Sequence, residues 1–213
     1  MPSTQIKICG LSTPETGDAA VDAGATHIGL VHYGPGSRHV SLEDAAKLRA
    51  RVPQHVRVVL LLVDQQPEPT IRAIEAVRPD VVQFHGRETK EWVALLKQHV
   101  PIELWKAIGV SRPESVDKAM AWRNAADLVL LDAPAKALPG GNGIAVDWSL
   151  LDGAKFTMPW GLAGGLSPAN VADAIARTGA PLVDASSGLE SAPGVKDVDK
   201  IRAFCKAARE AAA

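Results

Sequence analysis

Two short segments near opposite ends of the chain carry the groups most able to do chemistry: Lys7-Ile8-Cys9-Gly10, and Val183-Asp184-Ala185-Ser186-Ser187-Gly188. Cys9 ends an apolar run just before a glycine, a position that presents a thiol at a mouth rather than burying it. This makes it a candidate base or nucleophile. Further apolar runs end in the same manner, at Tyr33 with Arg38 further along, Asp64, His85, Ala107, Asp132 and Gly164-Gly165. The set contains acids, a thiol and an arginine. Leu162-Ala163-Gly164-Gly165-Leu166-Ser167-Pro168 puts two glycines between a strand and an expected helix start, so backbone N–H groups can approach an anion closely. With Ser186, Ser187 and Gly188 this segment reads as a phosphate cradle. Each residue taken singly also has an ordinary reading: Cys9 as a small buried hydrophobe, Asp132 and Asp184 as loop caps, Arg38 as a solvated charge, His85 as a satisfied histidine closing a strand.

The elements that must position these groups come from short runs rich in Val, Ile and Leu alternating with amphipathic stretches, about eight units in all. The expected strands are Gln5 to Cys9, His27 to Tyr33, Arg57 to Val63, Val81 to Phe84, Glu103 to Ile108, Leu128 to Leu131, Met158 to Ala163 and Pro181 to Asp184. Between them the expected helices are Pro14 to Ala23, Leu42 to Arg51, Glu68 to Val77, Lys90 to His99, Glu114 to Trp122, Pro168 to Arg177 and Val198 to Ala211. Ser12-Thr13, Ser41, Ser111 and Ser167 stand where capping hydroxyls would mark helix entries. The sixth unit instead leads into a long stretch with Pro134, Pro139, Gly140, Gly141 and Gly143, read as a lid. No linker, charge block or low-complexity segment divides the chain. The expectation is therefore one domain over residues 1–213, an α/β fold of the single-domain (β/α)8 TIM barrel type, with a doubly wound open sheet as the alternative. In such a barrel the functional face lies at the C-terminal strand ends, and phosphate sits after strands seven and eight.

Composition narrows the partner. With 23 Lys+Arg against 24 Asp+Glu the formal net charge is -1, and no global field draws the chain to nucleic acid or anionic lipid. The longest apolar run, Val58 to Val63, is far short of the roughly 20 residues that span a bilayer. A small-molecule partner, no membrane and no nucleic acid are the expectations, and a cytoplasmic location follows from the absence of a basic-then-apolar leader. Cys9 and Cys205 lie far apart and read as free thiols, and the six histidines show no metal-ligand spacing.

Taken together, Lys7-Ile8-Cys9-Gly10, Ser37-Arg38-His39-Val40-Ser41, Val82-Gln83-Phe84-His85-Gly86, Leu131-Asp132-Ala133, Gly140-Gly141-Asn142-Gly143, Asp147-Trp148, Ala163-Gly164-Gly165-Leu166, Asp184 through Glu190, and Pro193-Gly194-Val195-Lys196-Asp197 resemble the phosphoribosylanthranilate isomerase family from end to end. The resemblance implies an enzyme of tryptophan biosynthesis performing an Amadori rearrangement. It would convert N-(5-phosphoribosyl)anthranilate to 1-(2-carboxyphenylamino)-1-deoxyribulose 5-phosphate, without metal or organic cofactor, as a monomer or weak homodimer. Cys9 matches the family's base and Asp132 its acid. Arg38 matches the residue that binds the anthranilate carboxylate, Asp184 contacts ribose-derived hydroxyls, and His85 is counted with the substrate-binding residues. Gly164, Gly165, Ser186 and Ser187 carry the phosphate cradle, with Gly141 and Gly143 of the long loop as lesser members. The chain departs from the family pattern at Ile144-Ala145, where lysine and threonine are usual, and at Tyr33-Gly34-Pro35-Gly36 before the arginine. Two demands follow from the roles: Cys9 needs a nearby positive charge, for which Lys7 on the same strand face is the candidate, and Asp132 needs a dry or acidic setting to stay a proton donor. The competing readings are a phosphosugar-binding barrel without turnover, and a relaxed isomerase that also serves the histidine-pathway aminoaldose. The latter chemistry uses a pair of aspartates, against which the thiol at the first strand end argues.

Overall fold

A computed structural model describes residues 4–134 and 146–211. Eight parallel strands, β1 (Gln5–Cys9), β2 (His27–His32), β3 (Arg57–Leu62), β4 (Val81–Phe84), β5 (Glu103–Gly109), β6 (Leu128–Asp132), β7 (Trp160–Leu162) and β8 (Leu182–Ala185), pair in sequence order. Pairing of β1 with β8 closes the barrel and excludes the open sheet. The helices α1 (Pro14–Asp22), α2 (Leu42–Arg51), α3 (Pro67–Val77), α4 (Lys90–Lys97), α5 (Glu114–Met120), α6 (Val171–Thr178) and α7 (Val198–Ala211) lie between or after the strands.

Strand β3 shows why its run is almost continuously apolar. Val58, Leu60 and Leu62 point outward and join the helix-facing core, while Val59 and Leu61 point inward into two separate clusters inside the barrel. A parallel strand buried on both faces has no polar side to show. The lower inner cluster packs Val59, Val81, Trp105, Ala107, Leu128, Leu130 and Leu182. Above it, Cys9 packs with Val31, Leu61 and Val63 just beneath the mouth. The facing residue across the β1–β2 ladder is Gly29, where an added Cβ would come within 2.9 Å of the Cys9 Sγ, so only glycine leaves the thiol its place.

Helix entries follow the hydroxyl expectation in part. Thr13 and Ser41 accept from the N–H groups of Thr16 and Asp44, and Thr89 accepts from that of Trp92. Ser111 and Ser167 do not cap. The N–H of Ser111 donates to Ser115 Oγ at 3.3 Å, and α5 starts only after Pro113. The N–H of Ser167 donates to Asn170 Oδ1 at 2.8 Å while Asn170 Nδ2 donates to the Gly165 carbonyl at 3.0 Å. This side-chain bridge holds the segment as a turn, so α6 begins at Val171 rather than at the expected Pro168. The sixth unit has a 3₁₀ turn at Trp148–Leu151 in place of a helix, and a small antiparallel hairpin, β9 (Glu190–Ala192) with β10 (Val195–Lys196), follows β8.

Candidate active site

The C-terminal strand ends surround a cleft open to solvent, lined by Cys9, Arg38, Gln83, His85, Asp132, Gly164, Gly165, Asp184, Ser186 and Ser187 among others. Nine of the eleven residues expected to act are thus brought to one cleft. The other two, Gly141 and Gly143, lie outside the described residues, as do Ile144 and Ala145 of the expected lid.

Cys9 is not the exposed thiol that its place before a glycine suggested. It lines the cleft yet is only 5% exposed, because Val31, Leu61 and Val63 from the next two strands close around it. Lys7, two residues back on the same inward face, is fully buried and places Nζ 2.7 Å from Asp184 Oδ2. The ladder sets this pair, since Lys7 and Asp184 are direct partners across β1 and β8. Burial alone would lower the Lys7 pKa, but Asp184 and the neighbouring Cys9 outweigh it and hold the ammonium above its ordinary value. Burial also pushes the Cys9 thiol up, against the opposing pull of Lys7 and Lys196. Lys7 is therefore a local charge that limits the desolvation of Cys9 without overcoming it. The Asp184 carboxyl is likewise raised by burial despite Lys7, and its Oδ1 is buried with no partner among the described residues. A buried acceptor left open toward a cleft is suited to a ligand hydroxyl.

Asp132 sits where β6 ends. Its Oδ1 accepts from the Ala133 N–H at 2.7 Å, and its Oδ2 lies 3.2 Å from His85 Nε2. The carboxyl is only 14% exposed, and an amide and an imidazole flank it. Beside it, Gly164 and Gly165 both adopt left-handed backbone, with φ of +78° and +69°. A Cβ on Gly164 would strike the backbone of Ala133, so the cradle loop can pass the acid's loop only as glycine.

Arg38 is already gripped. Its Nε and Nη2 donate to Glu190 Oε1 and Oε2 at 2.6 and 2.8 Å, a fork-on-carboxylate pair. Lys196 Nζ donates to the same Glu190 Oε1 at 2.6 Å and to the Ser186 carbonyl at 3.0 Å. Burial would raise the Glu190 pKa, but its bonds to Arg38 and Lys196 prevail and keep it below its ordinary value, whereas burial lowers Lys196. Two cations around one carboxylate leave a net positive corner beside the serines of the cradle.

Sequence reasoning missed Gln83, Glu88, Lys106, Glu190 and Lys196 as parts of the site. Lys106 Nζ donates to the Gly86 carbonyl at 2.7 Å, to Glu88 Oε2 at 2.9 Å and to the Phe84 carbonyl at 3.4 Å, and Glu88 in turn accepts from the N–H groups of Gly86 and Asp64. This buried clamp grips the backbone on both sides of His85. Lys106 faces outward between the inward Trp105 and Ala107 of β5, and a lysine on that apolar face together with the glutamate three residues past His85 were the available signals. Among the described residues no group of three His, Cys, Asp or Glu side chains is placed to hold a metal ion.

A closed eight-stranded parallel barrel with acid–base groups and a glycine–serine cradle at its C-terminal mouth defines a (β/α)8-barrel enzyme acting on a phosphorylated small molecule. Residues 6–207 match the family described as N-(5'phosphoribosyl)anthranilate (PRA) isomerase. The chain is 60% identical over 208 residues to the N-(5'-phosphoribosyl)anthranilate isomerase of Erythrobacter litoralis, covering 98% of this chain and 100% of that protein. Its fold superposes on the phosphoribosyl anthranilate isomerase of Thermotoga maritima with a TM-score of 0.89 at 35% identity, covering 97% of this chain and 99% of that one. A second isomerase structure, in complex with reduced 1-(o-carboxyphenylamino)-1-deoxyribulose 5-phosphate, matches with a TM-score of 0.86 at 33% identity over 97% and 99% of the two chains. The chain belongs to the N-(5'-phosphoribosyl)anthranilate isomerase family, aldose–ketose isomerases of tryptophan biosynthesis.

Proposed function

We propose that the mouth performs the family's rearrangement with Asp132 as general acid and Cys9 as general base. Asp132 gives a proton to the furanose ring oxygen of N-(5'-phosphoribosyl)anthranilate, the ring C–O bond breaks, and a cationic Schiff base forms. The Cys9 thiolate then takes the proton from C2, and its electron pair neutralises the Schiff base to an enolamine. Protonation at C1 and loss of the hydroxyl proton give the ketone. The cation formed by ring opening, added to Lys7, favours the thiolate at the moment it is needed, which reconciles a buried thiol with a base role.

The observation that carries this reading is that a thiol and a carboxyl from opposite sides of the barrel face one cleft that also holds the cradle. Gly164, Gly165, Ser186 and Ser187 hold the phosphate. Asp184 Oδ1 takes a sugar hydroxyl, and Arg38 with Lys196 supplies the positive corner for the anthranilate carboxylate. His85 lines the same cleft beside the acid. The chain acts in the cytoplasm as a monomer or weak homodimer; only Leu95 and Val195 are exposed large hydrophobics among the described residues, and they belong to separate elements. Turnover is read as loss of anthranilate-type fluorescence. Cys9→Ser and Asp132→Asn should each lower kcat at least about a hundredfold, and a near-normal rate for either removes that residue from its role.

A further inference from the structure

We propose that Gln83 is a positioning residue that selects the tautomer of His85, so that His85 presents an Nε2–H to the carboxyl of Asp132. The inference rests on the acid role of Asp132 given above. Gln83 and His85 alternate inward from β4, and both line the cleft. The Gln83 side chain is buried, with Nε2 3.4 Å from His85 Nδ1 and Oε1 enclosed without a protein partner. An amide nitrogen only donates, so the nitrogen it faces must carry a lone pair, and the proton of a neutral His85 then resides on Nε2. Exchanging the amide oxygen and nitrogen would leave both N–H donors unmet, where now one N–H and the acceptor are unmet. The unmet acceptor is the cheaper of the two defects. Lys106 and Glu88 hold the peptide groups on both sides of His85, which fixes the backbone from which the ring projects beside Gln83 and Asp132.

The consequence falls on the reacting acid. Once Asp132 has released its proton, the Ala133 N–H meets Oδ1 at 2.7 Å and His85 Nε2 lies 3.2 Å from Oδ2. The charge that develops on the carboxylate during ring opening is met by fixed dipoles and needs no rearrangement of the site. With the opposite tautomer, a bare Nε2 would face that developing charge and oppose it.

Protein labelled with ¹⁵N-histidine tests the assignment, since the two ring nitrogens report directly which one is protonated; the His85→Gln variant identifies the signals by their loss. The expected result at neutral pH is a protonated Nε2 and a bare Nδ1. A protonated Nδ1 overturns the proposal, whether or not the wild-type protein turns over. Gln83→Glu, which places an acceptor at Nδ1, should move the proton to Nδ1 and lower kcat about tenfold or more with KM within about twofold. His85→Gln retains a donor and should keep more activity than His85→Leu. Equal kcat for wild type and Gln83→Glu, or equal loss in the two His85 variants, rejects the positioning role. Absence of turnover in the wild-type protein with the Nε2–H tautomer in place would instead reject the catalytic reading and leave the tautomer assignment standing.

Discussion

Replacing Lys7 with methionine removes the ammonium that stands between two other buried groups. The stem of the side chain is retained, so packing inside the barrel changes little while the charge disappears. Asp184 is 7% exposed and then has no cation within reach, although its Oδ2 was met at 2.7 Å. Breaking a buried pair on one side costs about 3–5 kcal/mol, because the remaining charge is left desolvated. The Lys7→Met/Asp184→Asn double variant removes that stranded charge and should recover at least about 2 kcal/mol of the loss. Urea titration followed by far-UV circular dichroism measures all three variants. In the activity assay, Lys7→Met should lower kcat on the order of tenfold at neutral pH, since the thiol already held up by burial loses the charge that most opposes it. The sign in pH is fixed by the same cause: the thiolate is the active form, so activity rises with pH, and the rise should move to more alkaline pH without Lys7. A single variant within about 1 kcal/mol of wild type, or an unshifted pH profile, would refute the reasoning.

Glu190→Gln should raise KM severalfold with a smaller change in kcat, because it frees Arg38 from its fork and leaves Lys196 without its carboxylate; equal KM values would show that the grip on Arg38 is dispensable. His27 predicts an acid limb of stability. Burial, aided by Arg57 and Lys7, pushes its pKa down to about 3 from the model-peptide value of 6.5. The unfolded chain therefore takes up a proton below 6.5 that the folded barrel refuses until about 3, and stability falls across that window as pH drops. The slope contributed is up to about 1.4 kcal/mol per pH unit. His27→Phe, which also fills the space against Trp105, should flatten it; identical urea midpoints against pH in both proteins would exclude His27 as the cause.

The strands were legible because each is a local pattern: β1 and β4 have the expected limits, four others differ by one residue at their C-terminal end, and β7 and β8 differ by one or two residues at both ends. What was not legible depends on groups far apart in the chain. Ser167 has a capping hydroxyl before a proline, yet Asn170 takes its N–H, and no local rule ranks one side chain over the other. The thiol of Cys9 reads as exposed until the strands carrying Val31 and Leu61 close over it. Arg38 reads as an open guanidinium, and its partner Glu190 comes from 152 residues away. Asp132 reads as the end of an apolar strand, but the imidazole that flanks it arrives from the end of β4, two strands away and 47 residues earlier in the chain. Lys7 was the exception, visible because the strand period of two puts it on the face of Cys9.

The ties across the mouth also bear on how such a chain could be divided. Cut between β4 and β5, it would yield one fragment holding Lys7, Cys9, Arg38 and His85, and another holding Asp132, Asp184, Glu190 and Lys196. The buried pairs Lys7–Asp184 and Arg38–Glu190 both run from one fragment to the other. Lys7 and Asp184 would each be a charge whose ion-pair partner lies in the other half, a cost that rejoining the halves removes, while Glu190 would keep Lys196 within its own half. The same contacts that assemble the chemistry thus act as a password between the halves of the barrel.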